Sequence, residues 1–187
     1  MDGVNGSVGS SLFLLESPAM TQCNSPPDLT IDLDSEYGAV LHTSLGDITV
    51  TFHPGDAPLA VNSFLFLAGE SFYDGVVFHR VIPGFMVQSG DPTGTGRGGP
   101  GYRFRDELDG PGSYERGTMA MANSGPNTNG SQFFIMHQNY GLPHNYTIFG
   151  KVTDGIEIVD AITELEIGPG DRPRDEPTIQ SIIVTGV

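Results

Sequence analysis

Two short segments place an arginine, a glutamine and a methionine in a spacing suited to binding an apolar group. Residues 78–81 (FHRV) and 85–88 (FMVQ) are β-prone runs joined by Pro-Gly, which predicts two strands that meet at a bend. Because side chains alternate between the faces of a strand, Met86 and Gln88 are expected to point together. With Arg80 on the neighbouring strand, the pattern predicts an apolar site equipped with a few aimed hydrogen-bond donors.

The histidine beside the arginine is the first candidate for acid–base chemistry. Strand alternation predicts that Phe78 and Arg80 share one face and that His79 takes the other. A base facing away from the arginine cannot serve the same site. His79 is therefore expected to be a hydrogen-bonded histidine of the core.

A second polar stretch ends in a similar pair of side chains. Residues 123–130 are rich in turn formers and can present backbone amides and carbonyls to a ligand. Gln132 and Phe134 then share a strand face, which again pairs an amide with an aromatic ring. Taken alone, the same pattern fits an edge strand that follows a polar turn.

Together these stretches give the chain a family resemblance. FHRVIPGFMVQSGDPTGTG, MANSGPNTNGSQFF and YTIFGKV occur in this order, and over about residues 36–187 the chain resembles the cyclophilin family of peptidyl-prolyl cis-trans isomerases. The resemblance implies a mainly β fold, an eight-stranded antiparallel β-barrel capped by two α-helices. It also implies proline-containing peptides and folding proteins as substrates, and no cofactor or metal. Residues 1–35 lie outside it and are expected to form a loosely structured extension.

The resemblance also implies the site residues. The implied catalytic residues are Arg80, Gln88, Phe85 and Asn123. The implied substrate-binding residues are Ile82, Met86, Gly94, Ala122, Ser124, Gln132, Phe134, Leu142 and Tyr146, the last at a position where the family has histidine. In this scheme Arg80 stabilises the twisted amide electrostatically. Gly141 replaces a tryptophan that is frequent in the family, so cyclosporin is expected to bind only weakly.

Short strands and two helices must position these residues. Strand-like runs occupy 37–43, 47–53, 117–122, 131–136, 146–151 and 178–184. Val61, Phe64, Leu65 and Ala68 form one apolar face of a helix that ends by residue 69. A second helix is predicted over 155–165, with Asp154 as its N-cap. Such a pattern is typical of an antiparallel barrel or sandwich with helical caps.

Charge and composition argue against several classes of function. The 187 residues carry 23 acidic and 8 basic side chains, a net charge of −15, whereas nucleic-acid binding needs clustered Lys and Arg. The apolar run 12–15 is too short to span a membrane, and no basic residue precedes it as in a secretory signal. We therefore expect one folded domain, monomeric and cytoplasmic, without nucleic-acid or membrane partners.

Other chemistries find little support in the motifs. Residues 94–99 match GxGxxG, but Pro100-Gly101 follows where a phosphate-binding loop requires a helix. The five histidines are scattered and form no metal-binding motif. No serine lies in a nucleophile elbow, which argues against a hydrolase. A hydrolase and a non-catalytic peptide-binding or chaperone module remain the alternatives. An isomerase assay would separate the module from the isomerase, and labelling of a serine by a nucleophile-directed probe would support the hydrolase.

Overall fold

The structure, a computed structural model, describes residues 23–186. Its strands are β1 (Gly38–Thr43), β2 (Gly46–Phe52), β3 (Arg80–Ile82), β4 (Met86–Ser89), β5 (Thr118–Met121), β6 (Phe133–Met136), β7 (Ile148–Asp154) and β8 (Ile179–Thr185). The helices are α1 (Pro58–Gly69) and α2 (Ile156–Thr163), with a short 3₁₀ helix at Pro169–Asp171 before β8. The predicted strands and both helices are confirmed, with ends displaced by up to a few residues.

All eight strands belong to one antiparallel sheet, in the order β3-β4-β6-β5-β7-β2-β1-β8. The two edge strands are linked through residues 75–78, which precede β3. Gly75 N donates to Ile179 O at 2.7 Å, and Phe78 N donates to Pro177 O at 2.9 Å. These bonds close the curled sheet on itself, so the predicted barrel is confirmed.

The inner face of the sheet and both helices form one apolar core. Val81, Val87, Ile135 and Met119 lie opposite one another across β3, β4, β6 and β5, and each is fully buried. Helix α1 adds a face centred on Phe64, while α2 contributes Val159 and Ile162. Because strand side chains alternate, burying this set leaves Arg80, Met86 and Gln88 on the outer face.

Helix α1 begins at a proline, as the sequence predicts, but its capping is long-range. Ala57 provides no side-chain cap. Instead the Glu107 carboxylate accepts hydrogen bonds from Leu59 N at 2.9 Å and Ala60 N at 3.0 Å. A carboxylate at a helix N-terminus satisfies free amides and complements the helix dipole. This cap ties the loop before β5 to α1.

The predicted N-cap of α2 is wrong. Asp154 is the last residue of β7, and Gly155 is the N-cap, with a left-handed φ of 77°. A Cβ on Gly155 would lie 2.1 Å from Asp47 O. Only glycine fits between α2 and the start of β2, and this close approach has no local signature that a capping rule would detect.

Residues 23–35, expected to belong to a loose extension, contact the barrel. Asn62 in α1 donates through Nδ2 to Asp28 O at 3.0 Å and accepts from Thr30 N at 3.0 Å. The division of the chain at residue 35 stays a prediction, and residues 1–22 lie outside the described residues.

Candidate active site

Strand register builds the polar side of the site. Arg80 in β3 lies opposite Gln88 in β4, and Gln88 lies opposite Phe134 in β6. Directly opposed residues of antiparallel strands share a face, with Cβ atoms about 4.5–5.5 Å apart. One row across three strands therefore sets a guanidinium, an amide and an aromatic ring side by side. The sequence assigns Arg80 and Gln88 to one site, and this register places them next to each other.

A cavity of about 150 Å³ opens beside this row. It is lined by Arg80, Phe85, Met86, Gln88, Ala122, Asn123, Phe134, Leu142 and Tyr146. A cavity of this volume can hold a benzene-sized ring. The pyrrolidine ring of proline is slightly smaller, so the cavity fits a proline side chain next to a fixed cation.

A second apolar cluster on the outer face of the sheet forms the floor of this cavity. Phe134, 5% exposed, packs edge-on against Tyr146 with ring centroids 5.5 Å apart. Tyr114 is buried behind both, and its hydroxyl donates to Tyr146 O at 2.8 Å and accepts from Tyr146 N at 3.0 Å. Burial raises the pKa of Tyr114, so the phenol stays neutral and braces the wall.

The arginine of the site is anchored by a residue that sequence reasoning missed. Arg80 Nε donates to Asp171 Oδ2 at 3.3 Å. Asp171 ends the 3₁₀ helix with a left-handed φ of 62°. Among residues 23–186 no other side-chain partner of Arg80 is found, so the terminal nitrogens of its guanidinium make no side-chain hydrogen bond there, and Arg80 lines the smaller cavity. Ninety-one residues separate the pair, and no local pattern could have indicated it.

Amide side chains connect this cavity to a larger one. Gln88 Nε2 donates to Gln132 Oε1 at 3.0 Å, and Gln132 Nε2 donates to Gly98 O at 2.9 Å. Beyond them lies an open cavity of about 900 Å³. Gln88, Ala122 and Asn123 line both cavities. A peptide can therefore continue from one into the other.

The loop that follows β4 is organised by Asp91, which is fully buried. Its carboxylate accepts hydrogen bonds from Thr93 N at 2.8 Å and Gly98 N at 3.1 Å. Burial alone would raise the pKa of Asp91, but the bonds from Thr93 and the backbone outweigh it and hold the pKa below its usual value. The glycine-rich loop is thus an ordered turn around a carboxylate.

His79 lies under this loop, and two details differ from expectation. Phe78 is fully buried in the barrel core, so it does not share the face of Arg80, because regular alternation starts only where β3 begins. His79 is 6% exposed, as expected for a core residue. However, neither ring nitrogen has a hydrogen-bond partner within residues 23–186. Burial lowers the pKa of His79, and the attraction of Asp91 only partly opposes this.

Because of His79, we expect the free energy of unfolding to decrease as the pH is lowered from about 6.5. The unfolded histidine takes up a proton near pH 6.5, whereas the folded one does so only at lower pH, so the unfolded state gains protons first. The contribution of His79 to stability is therefore fully present above about pH 6.5 and is lost as the pH falls towards the pKa of the folded state. Urea unfolding at pH 7.5, 6.5 and 5.5 measures the decline.

The matched variants are His79→Gln, which should flatten this part of the profile, and His53→Gln, which should retain it. His53 is partly exposed and lies at the end of β2. Identical pH profiles for the wild type and His79→Gln would show that another group controls the decline.

The other predicted site residues have separate places. Ser124 and Gln132 line the larger cavity and not the smaller one. Ile82 lies opposite Met86 and packs against the outer cluster beneath the site. Gly94 lines neither cavity, and its carbonyl accepts a hydrogen bond from Arg172.

Tyr140 is a further residue that the sequence did not single out. Its ring centroid lies 4.5 Å from that of Phe85, and 51% of the residue is exposed. Tyr140 thus packs against a ring that lines the smaller cavity. Gly141 follows it, with open space around the position of a Cβ.

Within residues 23–186, no group of three or more His, Cys, Asp or Glu side chains is arranged to hold a metal ion. In the same part of the chain, no helix has the length and apolar character needed to cross a membrane.

Comparison with known proteins places this geometry in a family. Residues 39–184 match the family model described as cyclophilin type peptidyl-prolyl cis-trans isomerase/CLD. The chain is 47% identical over 151 residues to peptidyl-prolyl cis-trans isomerase CYP18-1 of Arabidopsis thaliana, covering 77% of this chain and 93% of that protein. It is 46% identical over 176 residues to the probable peptidyl-prolyl cis-trans isomerase A of Mycobacterium leprae, covering 84% and 97%.

Solved structures agree with this assignment. A cyclophilin type isomerase of Cryptosporidium parvum superposes with a TM-score of 0.74 at 37% identity, over 80% of this chain and 98% of that one. A second structure of that protein, in the presence of the dipeptide Ala-Pro, gives a TM-score of 0.73 at 38% identity, covering 79% and 98%. The barrel, the proline-sized cavity and these relatives lead to one conclusion: the chain belongs to the cyclophilin-type peptidyl-prolyl cis-trans isomerases and is an isomerase of this class.

Proposed function

We propose that the chain rotates X-Pro peptide bonds in peptides and folding proteins without covalent chemistry, with Arg80 stabilising the twisted amide. The observation that carries this proposal is the guanidinium of Arg80 on the wall of a cavity that fits a proline ring. The second structure of the Cryptosporidium relative is in the presence of the dipeptide Ala-Pro, which supports an X-Pro ligand for this chain.

The reaction needs only differential binding of a twisted amide. Rotation breaks amide resonance and meets a barrier of about 18–20 kcal/mol. At the twisted geometry the proline nitrogen regains its lone pair and becomes a better hydrogen-bond acceptor. A cation held beside that nitrogen binds the twisted state more strongly than the planar one, which accelerates rotation. No nucleophile or proton transfer is required.

The Asp171 ion pair supports this role for Arg80. The carboxylate occupies only Nε, so it restrains the side chain while the terminal nitrogens can donate to substrate. Both side chains are nearly half exposed, at 44% and 47%, so the empty site is screened by water. A bound peptide would displace part of this water and strengthen the interaction with Arg80.

The remaining lining residues have two roles in binding the peptide. Phe85, Met86, Phe134 and Leu142 would enclose the proline ring, and their apolar surface suits it. Gln88, Gln132 and the backbone of Asn123 would hold the flanking peptide at the junction of the two cavities. One end of the peptide is then fixed while the other end turns. Exchange of an Ala-Pro peptide catalysed by the wild type and by Arg80→Ala tests the scheme.

We expect cyclosporin to inhibit the wild-type protein weakly. It should inhibit the Gly141→Trp variant more tightly, with an inhibition constant lower by about tenfold or more. A buried aromatic at a binding hot spot is worth about 2 kcal/mol or more, and an indole also supplies an N–H donor. The space around Gly141 is open and its φ is not left-handed, so the larger side chain fits without backbone strain. Inhibition curves with one short peptide substrate measure the change.

Gly141→Ala is the control, because it tests the loss of glycine without adding a ring. Equal inhibition of the wild type, Gly141→Ala and Gly141→Trp would show that the missing indole does not set the affinity for the drug.

We further propose that the protein acts as a monomer in the cytoplasm, without nucleic-acid or membrane partners. The net charge of −15 opposes binding to phosphate backbones. The location rests on the sequence alone.

A further inference from the structure

The basic side chains of this acidic chain fall into two groups. The sequence has eight Lys and Arg residues, and all of them lie within residues 23–186. The ion pairs found there are Arg80–Asp171, Arg116–Asp160, Lys151–Glu115, Arg172–Glu176 and Arg174–Glu166. Arg97, Arg103 and Arg105 have no carboxylate within ion-pairing distance in the described chain. With 23 acidic residues available, three unpaired arginines are unexpected.

Two of these three arginines line the larger cavity. Arg97 and Arg103 both contribute to its wall, and both are exposed. In the described chain neither guanidinium donates a hydrogen bond, and the hydrogen bond found at these two residues is a backbone one, from Arg97 N to Thr95 Oγ1. The lining contains no Asp or Glu. The cavity is thus a local excess of positive charge on a chain whose net charge is −15.

The scaffold around these arginines is ordered. Arg97 directly precedes Gly98, whose N–H binds the buried carboxylate of Asp91 and whose carbonyl accepts from Gln132. Arg103 lies between Tyr102 and Phe104, which are both buried in the barrel core. The backbone at Arg97 and Arg103 is therefore held in place, while the two guanidinium groups are available to bind a ligand.

The position of the larger cavity limits what that ligand is. Gln88, Ala122 and Asn123 belong to the walls of both cavities, so a peptide with proline in the smaller cavity passes its neighbouring residues over the larger one. Building on the proposed function, we propose that Arg97 and Arg103 form a subsite for an anionic side chain of the substrate near its proline. The ligand chemistry is a carboxylate of Asp or Glu, or the phosphate of a phosphorylated Ser.

The physical basis is the pairing of planar donor forks with an oxyanion. Arginine presents several N–H donors in one plane and stays charged at all accessible pH values. The rest of the acidic surface repels an anionic peptide, so these two cations supply local attraction that nothing else in the larger cavity offers. Because both side chains are exposed, the effect is moderate and salt weakens it.

The experiment compares proline peptides with uncharged ends that differ at one position only. Glu, phosphoserine, Gln or Lys is placed in turn at each of the three positions before and after the proline. Exchange rates from NMR magnetisation transfer give kcat/KM without a coupling protease. We expect an anion-to-Gln ratio of about three to ten at one or two adjacent positions in low salt, falling towards one in 0.5 M NaCl. The larger of the Glu and phosphoserine ratios identifies the anion.

Variants test whether the arginines of the larger cavity cause the anion-to-Gln ratio of kcat/KM. Arg97→Gln and Arg103→Gln should each lower it, and the double variant should abolish it. Arg105→Gln removes the same charge from an exposed, unpaired arginine that lines neither cavity, so it should keep the ratio. The proposal is overturned if no position favours an anion, if the double variant keeps the ratio, or if Arg105→Gln lowers it equally. Failure to isomerise the Gln peptides would instead overturn the proposed function.

Discussion

Arg80→Ala is expected to lose about 10²–10³ in kcat/KM for an Ala-Pro peptide while the barrel stays folded. Losing one preorganised donor to a developing charge typically costs about 2.7–4 kcal/mol. The Arg80 side chain is 44% exposed and lies outside the barrel core, so its removal should leave the core intact. NMR exchange measures the rate, and circular dichroism with thermal melting checks the fold.

A graded series of variants separates the electrostatic role from simple contact. Arg80→Lys should recover part of the rate, since an ammonium group keeps the charge but lacks the planar fork. Asp171→Ala should lose less than Arg80→Ala, because it frees the guanidinium without removing it. Gln88→Ala should also lose less, since its partner is the flanking peptide. His79→Ala should mainly lower stability. A folded Arg80→Ala with near-normal exchange would refute the mechanism.

Phe64→Ala is expected to have the largest effect on stability, about 3–5 kcal/mol. Phe64 is 1% exposed and projects from α1 into the barrel. Its ring lies 5.0 Å from Tyr73, 5.2 Å from Phe52 and 5.5 Å from Phe133, measured between centroids. Truncation leaves a cavity within this aromatic cluster, and close-packed neighbours refill it only partly. For a chain of this size the melting temperature should fall by roughly 6–20 °C.

Phe66→Ala is the matched control on the same helix. Phe66 is 37% exposed, so its loss should change stability much less. Below its melting temperature Phe64→Ala should keep most of its isomerase activity, because the site lies on the outer face of the sheet. Phe64→Ala should therefore lose stability and keep activity, whereas Arg80→Ala should keep stability and lose activity. Equal melting temperatures for Phe64→Ala and Phe66→Ala would show that the barrel interior is not packed around Phe64.

Local sequence determined which residues are brought to the site by adjacent strands. The runs on either side of Pro83-Gly84 predict two strands, and a two-stranded antiparallel pair places Arg80 beside Gln88. Periodicity also predicted the apolar face of α1, with Phe64 at its centre. These features depend on a period of 2.0 or 3.6 residues and on turn chemistry, which a few neighbouring residues specify. The long motifs then indicated the family, and through it the barrel.

Local rules failed where the chain changes direction or where two parts approach closely. Phe78 lies just before β3, so its side chain enters the core although alternation places it with Arg80. Gly155 displaces Asp154 as N-cap because β2 passes too close for a Cβ. In both cases packing against a distant segment outweighs the local preference, and that segment is invisible in a short window of sequence.

Only the tertiary structure decided what surrounds the reacting groups. The anchor of Arg80 is Asp171, ninety-one residues away, and the cap of α1 is Glu107, 48 residues from Leu59. The sequence shows seven arginines but not which of them are paired, because pairing depends on distances between side chains that folding brings together. Arg97 and Arg103 are distant from the proline-sized cavity in local sequence patterns. They become its neighbours, on the wall of the larger cavity, when the barrel closes and the loop around Asp91 packs onto the barrel. Charge is a property of composition, whereas an electrostatic site is a property of position.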